Sequence, residues 1–456
     1  MKFKITKYLR GIILINNDYE SQIQSFYNYF KINEKKKESF KLGVEFEHFI
    51  LCADTCEAID YYGDTGVNNT LYELLKKGWE GKEIDGYLLE LKKKDMIITL
   101  EPGAQIEVSI SPQRKIVNIE KIYLEFLKDI IPILEKKNQK LVTLGYQPIT
   151  DIGNIPFIPK ERYKYMSEYL LNKGKYAHDM MKGTASIQIS IDYSSEEDFI
   201  NKFRLSNLLS PILSMIFDNS PLYKGKLYNK NLLRTNIWNN CDKDRSMVVK
   251  NSLDKEFGYR DYAEYILNNP PIIINRDNEY IYTKNKLTRD VFNSNEFNKE
   301  EIEHILTMFF PDVRLKGFIE IRMMDSIPYP LNLSSIALIK GIMYSDKNIS
   351  KLLNLFKDFN NDDVIRIKKD IIENGFDTNI LGEKLHNLSK YILDIAYTGL
   401  EKSEKEYLDP IYEMINNVEN PSKLIKKSIP NDKRYITKNI LDYIPQETNY
   451  MKSSTK

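Results

Sequence analysis

Four stretches of the chain alternate polar and apolar residues with a period of two, which predicts β-strands with one buried face each. They cover residues 43–49, 105–111, 183–192 and 317–323. In the second stretch, the alternation is clearest: Gln105, Glu107 and Ser109 point one way, and Ile106, Val108 and Ile110 point the other. The pattern therefore predicts four strands, far apart in sequence, each with a polar and an aliphatic face.

The polar faces of these strands carry carboxylates. If the strands join one sheet with their polar faces aligned, five glutamates meet on a concave wall: Glu45, Glu47, Glu101, Glu107 and Glu320. For any single strand, a half-exposed sheet with an acidic outer face is the better explanation. The recurrence of the pattern in four strands favours a shared site.

Carboxylates at close range repel one another, and a divalent cation is the simplest remedy. Mg²⁺ takes oxygen ligands and is typically held by a few carboxylates together with substrate phosphates. Arg322, two residues after Glu320, suits a phosphate or carboxylate in the same pocket. We therefore predict that the five glutamates are Mg²⁺ ligands, some of them through water, and that Gln188 is a polar contact on the third strand.

Apolar residues at helical spacing predict helices between and after these strands. Residues 1–40 look helical, and further helices are predicted at residues 71–77, 84–92, 117–137, 162–173, 259–268 and 299–310. Another is predicted to start at a capping box from Ser194 to Glu197. After Pro330 a buried helix near residues 336–343 precedes amphipathic helices to about residue 445. The predicted fold class is α+β, with a region at 1–330 carrying the sheet and a helical region at 331–456 packed on it.

Residues 222–250 are predicted to be a polar loop region over the sheet, and they contain Arg234, Trp238, Asp242 and Arg245. Loops of this kind commonly carry substrate contacts, and guanidinium groups suit carboxylates and phosphates. From the spacing alone, a solvated charged loop is an equally good explanation.

Four longer segments in this order carry recognisable motifs: Gly43-Val-Glu-Phe-Glu-His-Phe49, Leu100-Glu-Pro-Gly-Ala-Gln-Ile-Glu-Val-Ser109, Met180-Met-Lys-Gly-Thr-Ala-Ser-Ile-Gln-Ile-Ser-Ile-Asp192 and Arg234-Thr-Asn-Ile-Trp-Asn-Asn-Cys-Asp-Lys-Asp-Arg245. Together they resemble the plant and proteobacterial type of glutamate–cysteine ligase. That family joins the γ-carboxyl of L-glutamate to the amine of L-cysteine at the expense of ATP. Its fold resembles the catalytic domain of glutamine synthetase, so the resemblance implies a curved, mainly antiparallel sheet with covering helices.

The resemblance also implies roles for the cationic residues. The family has an arginine and a tryptophan at the places of Arg234 and Trp238, so these two, with Gln188, Arg245 and Arg322, are predicted to bind glutamate or ATP. Arg234 and Arg322 are the predicted catalytic residues, and Mg²⁺ is the implied cofactor. A related ligase with another amine acceptor, or an inactive homologue that binds nucleotide, stays open. The retained carboxylates argue against an inactive homologue.

The composition restricts the remaining classes of function. The chain has 456 residues, 29% of them charged, and a net charge of +1, which lacks the basic excess of a nucleic-acid binder. No apolar run reaches transmembrane length, and Gly11–Ile15 is too short for the core of a signal peptide. The three cysteines form no zinc pattern and do not indicate a secreted disulfide scaffold. A cytoplasmic enzyme, either a monomer or a homodimer, is predicted.

Overall fold

The computed structural model describes residues 18–84, 86–276, 279–292, 297–429, 440–444 and 446–447. The first part of the predicted N-terminal helix, including Gly11–Ile15, lies outside these residues, as do residues 430–439 of the C-terminal helical region. Within the described residues, no helix is both long enough and apolar enough to cross a membrane.

The strands in chain order are β1 (Leu42–Cys52), β2 (Glu80–Ile84), β3 (Tyr87–Lys93), β4 (Met96–Leu100), β5 (Ile106–Gln113), β6 (Gln139–Val142), β7 (Ile187–Ile191), β8 (Leu222–Tyr223), β9 (Lys226–Leu227), β10 (Ser246–Met247), β11 (Ile273–Arg276), β12 (Glu279–Tyr282), β13 (Phe310–Pro311), β14 (Val313–Leu315), β15 (Ile319–Ile321), β16 (Asn379–Ile380) and β17 (Glu383–Lys384).

The helices are α1 (residues 18–32), α2 (Val67–Leu75), α3 (Ile116–Lys136), α4 (Glu161–Leu171), α5 (Ala177–Gly183), α6 (Glu196–Ile216), α7 (Leu233–Asn239), α8 (Tyr259–Leu267), α9 (Thr288–Val291), α10 (Lys299–Leu306), α11 (Leu331–Met343), α12 (Asp346–Leu355), α13 (Asn361–Asn374), α14 (Leu385–Gly399), α15 (Asp409–Asn416) and α16 (Pro421–Ser428).

One antiparallel sheet of nine strands dominates the described part of the chain. Its order is β14-β15-β7-β1-β5-β4-β3-β2, and β6 also pairs with β1. All of these strand pairs are antiparallel. The four predicted polar-faced strands are β1, β5, β7 and β15, and they are neighbours in this sheet. The prediction of an α+β fold with a mainly antiparallel sheet is confirmed.

The aliphatic face of the sheet packs on α3, the predicted helix at residues 117–137. Phe46 on β1 meets the ring of Tyr123 on α3, with centroids 4.5 Å apart. His48, on the same strand face, is fully buried, and its Nε2 lies 2.8 Å from the Tyr123 hydroxyl. Because this face is closed by helices, the polar face of the same strands is the one left available for ligands.

The prediction of a helix at residues 84–92 is wrong, since the β2–β3 hairpin occupies this region. Gly86 takes a positive φ of 78° in the turn, where glycine carries no steric cost. Leu91 then pairs across to Ile98 on β4 and is fully buried. Tertiary pairing with β4 therefore overrides the helical spacing of the leucines.

Two predicted boundaries also shift. Helix α6 is capped by Ser195, whose Oγ accepts a hydrogen bond from the Asp198 backbone N–H at 3.1 Å. The predicted cap at Ser194 is therefore one residue early, and Ser194 instead donates its N–H to the Asp198 carboxylate at 2.8 Å. The third strand starts later than predicted, at Ile187, because α5 occupies the chain up to Gly183.

The C-terminal helices begin with α11, which is buried almost all round. Side chains such as Ile336 and Leu338 of α11 and Ile392 of α14 belong to the same hydrophobic core as Ile189 of β7 and Ile321 of β15. The division into regions 1–330 and 331–456 stays a prediction, and the two regions share one core.

Candidate active site

A cleft of about 260 Å³ lies over the polar face of the sheet. Strands β1, β4, β5 and β7 supply its floor, while α4, α5 and α7 supply side chains from above. Its charged lining residues are Glu45, Glu47, Glu101, Glu107, Lys160, Arg162, Arg234, Arg314, Lys316 and Arg322. Four of the five predicted glutamates are thus brought together on one wall.

The strand register explains why the carboxylates meet. Glu47 on β1 is directly opposite Glu107 on β5, and Glu45 is opposite Gln188 on β7. Glu47 is held in place by three donors: the Ser186 N–H at 2.7 Å, the Ser186 hydroxyl at 3.0 Å and the Gln188 amide at 2.8 Å. Like charges directly opposite on a sheet are destabilising, so this pair needs a compensating cation or a proton.

Burial and mutual repulsion perturb these carboxyl groups. Burial, followed by the charges of Glu107 and Glu320, raises the pKa of Glu45 to about 8. The pKa of Glu107 rises to about 8 for the same reason, with Glu101 and Glu47 as the neighbouring charges. Burial together with Glu47 raises the pKa of Glu101 to about 7. All of these carboxylates can therefore be ionised together at neutral pH only with a cation beside them.

The fit of a metal ion to this wall depends on the oxygen donors present. Among the described residues, no three His, Cys, Asp or Glu side chains are grouped closely enough to hold a metal ion by themselves. The opposed pair Glu47 and Glu107 nevertheless offers carboxylate oxygens on adjacent strands. This suits Mg²⁺, which keeps several waters and takes one or two carboxylates together with substrate phosphates.

Glu320 is positioned differently from the other four acids. It is fully buried on β15, and its carboxylate accepts from Arg314 Nε at 2.7 Å, Arg322 Nη1 at 2.8 Å and Lys316 Nζ at 3.1 Å. Although burial raises its pKa, these three cations outweigh burial and hold the pKa of Glu320 well below its usual range. Its predicted role as a metal ligand is therefore not supported here, because its oxygens are occupied by cations.

Arg322 links this ion-pair network to the carboxylate wall. Its Nη1 also donates to the side-chain oxygen of Gln188, whose amide nitrogen donates to Glu47. A continuous chain of polar contacts thus runs from Glu320 through Arg322 and Gln188 to Glu47. The cleft has a cationic end at β14–β15 and an acidic end at β1–β5.

Residues 41–373 match the sequence profile of Glutamate-cysteine ligase family 2. The chain belongs to this family. It is 29% identical over 376 residues to glutamate–cysteine ligase B, chloroplastic, of Oryza sativa subsp. japonica, covering 81% of this chain and 75% of the rice protein. It is 28% identical over 400 residues to the chloroplastic glutamate–cysteine ligase of Arabidopsis thaliana, covering 85% and 76%.

A solved structure shares the fold. It is the crystal structure of glutamate–cysteine ligase from Francisella tularensis in complex with AMP, with a TM-score of 0.51 at 11% identity, covering 89% of this chain and 87% of that one. The predicted family and fold class are confirmed by these matches.

In this member of the glutamate-cysteine ligase family, Arg234 and Trp238 lie on α7 and not in a loop. Arg234 Nη1 and Nη2 donate to the backbone carbonyls of Met323 and Arg322, at 3.3 and 3.2 Å. Asp325 Oδ1 is 3.9 Å from Arg234 Nη1. The guanidinium lies 5.8 Å from the Trp238 ring centroid, and both residues line the cleft.

Several buried donors in the cleft wall have no hydrogen-bond partner among the described residues. They are Nε of Arg162, Arg234 and Arg322 and the indole Nε1 of Trp238. An unsatisfied buried donor costs about 1–3 kcal/mol. Each of these four residues lines the cleft, so an anionic ligand placed there would supply the missing acceptors.

The structure does not support the predicted substrate contact of Arg245. This side chain is fully buried outside the cleft. Its guanidinium is held by Asp242 Oδ2 at 2.9 Å, by the Tyr169 hydroxyl at 3.3 Å and by the Pro270 carbonyl. The ion pair with Asp242 and the contact with Tyr169 compensate for the burial of the Arg245 charge, so the role of Arg245 is structural.

Sequence reasoning missed four cations of this family member: Lys160, Arg162, Arg314 and Lys316. Arg314 and Lys316 stand two residues apart at β14, so the same period of two that identified Glu320 could have found them. Arg162 lies in the first turn of α4, after the residue Lys160 that precedes the helix. No periodic signal marks these two.

Proposed function

We propose that the protein joins the γ-carboxylate of L-glutamate to the amine of L-cysteine with consumption of ATP, the first step of glutathione biosynthesis. The observation that carries the proposal is the cleft in which the opposed Glu47 and Glu107 face a cationic end built from Arg314, Lys316 and Arg322. Membership of the family and the names of the plant relatives support it.

The reaction that fits this lining needs no protein nucleophile. An oxygen of the glutamate γ-carboxylate attacks the γ-phosphorus of ATP, giving an acyl phosphate and ADP. The acceptor amine then attacks the acyl carbon, phosphate leaves, and the amine loses a proton. Phosphoryl transfer depends chiefly on positioning and charge stabilisation.

In this proposal the cationic residues bind different groups of the two substrates. Arg322, Arg314 and Lys316 lie at the cationic end, where they bind phosphoryl oxygens. Arg234, fixed by backbone carbonyls beside Trp238, binds a carboxylate of glutamate through the bidentate geometry that guanidinium favours. Glu320 keeps Arg322 and Arg314 in place.

Mg²⁺ is part of the proposal, with Glu47 and Glu107 as its protein ligands and with Glu45 and Glu101 beside them. When bound, it would neutralise phosphate charge and orient the transferring group. The raised pKa values of these carboxyl groups fit a wall that needs a cation.

The route of activation is tested with glutamate labelled with oxygen-18 in its γ-carboxyl. One label should pass to inorganic phosphate in each turnover, and the nucleotide product should be ADP. Unlabelled phosphate, or AMP with pyrophosphate, would exclude this ligase chemistry. A screen of amines with glutamate, ATP and Mg²⁺ then decides between cysteine and another acceptor, because only the true acceptor drives steady ADP release.

Location and assembly also belong to this proposal. We propose a cytoplasmic enzyme, although the plant relatives are named chloroplastic. Subcellular fractionation with a specific antibody tests the location, and light scattering after size exclusion decides between a monomer and a homodimer.

A further inference from the structure

The last described residues of the chain are docked against β6. We call residues 440–444 and 446–447 the C-terminal segment. Ile444 is buried in a small hydrophobic cluster that also contains Val142 of β6. Val142 forms an isolated antiparallel bridge with Gln446 as well. The C-terminal segment is therefore held on β6 by both side-chain packing and backbone pairing.

Glu447 follows this bridge and is fully buried. Its Oε1 accepts a hydrogen bond from the Tyr329 N–H at 3.2 Å, and Tyr123 and Thr143 face the same carboxyl group. Burial raises the pKa of Glu447 to about 8, so at neutral pH the group is mostly the uncharged acid. In this form it keeps an acceptor oxygen for Tyr329 without the cost of a buried charge.

Tyr329 is fixed from a second side. Its hydroxyl donates to Glu120 Oε1 on α3 at 2.8 Å. The other oxygen of Glu120 accepts from the Tyr407 hydroxyl at 2.6 Å. Two carboxyl groups from separate elements, Glu447 and Glu120, thus determine where the chain passes at Tyr329.

The residues that lead up to Tyr329 hold two parts of the active site. We call residues 322–329 the connecting segment. The Arg234 guanidinium donates to backbone carbonyls of this segment, at 3.2 and 3.3 Å. The Ser326 hydroxyl donates to the backbone carbonyl of Glu47. The connecting segment therefore helps to place both a carboxylate of the acidic wall and the arginine assigned to glutamate.

The link from Tyr329 back to Ser326 is short. Only Ile327 and Pro328 lie between them. Ile327 is buried, and the ring of Pro328 fixes its own φ. A link of this kind has little freedom to absorb a displacement, so a shift of Tyr329 is passed to Ser326.

We propose that Glu447 is a positioning residue for the ligase reaction, because it fixes the connecting segment on which Glu47 and Arg234 depend. The inference rests on the proposed function, in which Glu47 binds Mg²⁺ and Arg234 binds glutamate. Glu447 does not line the cleft, so it acts through the connecting segment and not by touching a substrate.

The test compares three variants of the full chain. Glu447→Ala removes the acceptor for the Tyr329 N–H, Glu447→Gln keeps an acceptor oxygen in the same shape, and Asp442→Ala removes an exposed acid of the same segment. Glu447→Ala should raise the KM for glutamate about tenfold, as expected when a hydrogen bond to a charged group is weakened. The other two variants should keep the wild-type KM. A purely structural role would reduce the amount of active protein, which lowers kcat but leaves KM unchanged.

A wild-type KM in Glu447→Ala, or an equal rise in Glu447→Gln, would overturn the inference. Hydrogen–deuterium exchange of the wild type covers the case in which Glu447→Ala does not fold. Because coupling between two sites is reciprocal, glutamate with Mg²⁺ and ADP should slow exchange in peptides covering residues 440–447. Unchanged exchange there, while peptides around Glu47 become protected, would also overturn it. Failure of the proposed function is seen separately, as absence of a γ-glutamyl product from the wild type.

Discussion

Replacing Glu320 by glutamine removes the charge at the centre of the cationic end of the cleft. The carboxylate is fully buried and holds Arg314, Lys316 and Arg322. Arg314 Nη2 is 2.6 Å from it, and the side chains of Arg314 and Arg322 are only 7% and 10% exposed. Glutamine keeps the shape of the side chain but removes the carboxylate to which both buried guanidinium groups are directly hydrogen-bonded.

The expected cost follows from this burial. Breaking a buried ion pair by removing one partner costs about 3–5 kcal/mol, because the remaining charge stays desolvated. Lys316, 20% exposed, can turn toward water and adds little. We therefore expect Glu320→Gln to lower the free energy of unfolding by about 3 kcal/mol.

Glu107→Gln is the matched control, with the same chemical change on the acidic wall. It removes one of two like charges that stand directly opposite each other, so stability should stay equal or rise by up to about 1 kcal/mol. Its activity, however, should fall more than about a hundredfold, roughly 3 kcal/mol of transition-state stabilisation.

Urea unfolding of the metal-free proteins and ADP release with Mg²⁺ measure the two effects. The two variants should therefore separate: Glu320→Gln loses stability, and Glu107→Gln loses activity without losing stability. A Glu320→Gln protein as stable as wild type would refute the ion-pair network as a structural element. A Glu107→Gln protein with near wild-type turnover would refute the carboxylate wall as the reaction site.

Three other predictions follow from separate parts of the molecule. Replacing Cys52, Cys56 and Cys241 by serine or alanine should leave turnover largely intact, because none of them lines the cleft; a reversible response of wild type to oxidant that the triple variant lacks would contradict this. Asp325→Asn should lower the KM for glutamate about threefold with little change in kcat, since it removes an anion that repels the substrate carboxylate at Arg234; an unchanged or raised KM would contradict this. Glu447 is buried and its pKa is raised to about 8, so the folded state keeps a proton that the unfolded chain loses above pH 4.5, and wild-type stability should fall between these pH values. Glu447→Gln should show a smaller fall, because Glu45, Glu101 and Glu107 still contribute to it; an equal fall of the two proteins between pH 5.5 and 8, measured by urea unfolding, would contradict this.

Strands β1, β5, β7 and β15 could be predicted because a period of two survives in a strand with one closed face. Glu45 and Glu47 were placed on one face of β1 by that pattern alone, and the structure agrees. The β2–β3 hairpin could not be predicted in this way, because Leu88, Leu89 and Leu91 also fit one face of a helix. Only the pairing of β3 with β4 decides between the two.

The acids of the candidate site were easier to predict than their partners. The alternation indicates which way Glu320 points, but not that Arg314 stands opposite it on a neighbouring strand. That register exists only after β14 and β15 have paired. For the same reason Arg245 could not be separated from Arg234, because both are arginines in one motif and only the packing of Asp242 and Tyr169 removes Arg245 from the cleft.

The two ends of the cleft explain why a ligand with both signs of charge fits it. The acidic wall has raised pKa values, so it favours a cation, while the unpartnered Nε atoms of Arg162, Arg234 and Arg322 favour an anion. Among the described residues, Glu320 already pairs with Arg314, Lys316 and Arg322. The charge of Lys160 only partly offsets the raised pKa values of Glu101 and Glu107. A metal ion alone would leave the arginines without acceptors, and a phosphate alone would meet repulsion at the acidic wall. A metal-bound polyphosphate answers both requirements at once, and this is the chemical form in which ATP takes part in phosphoryl transfer.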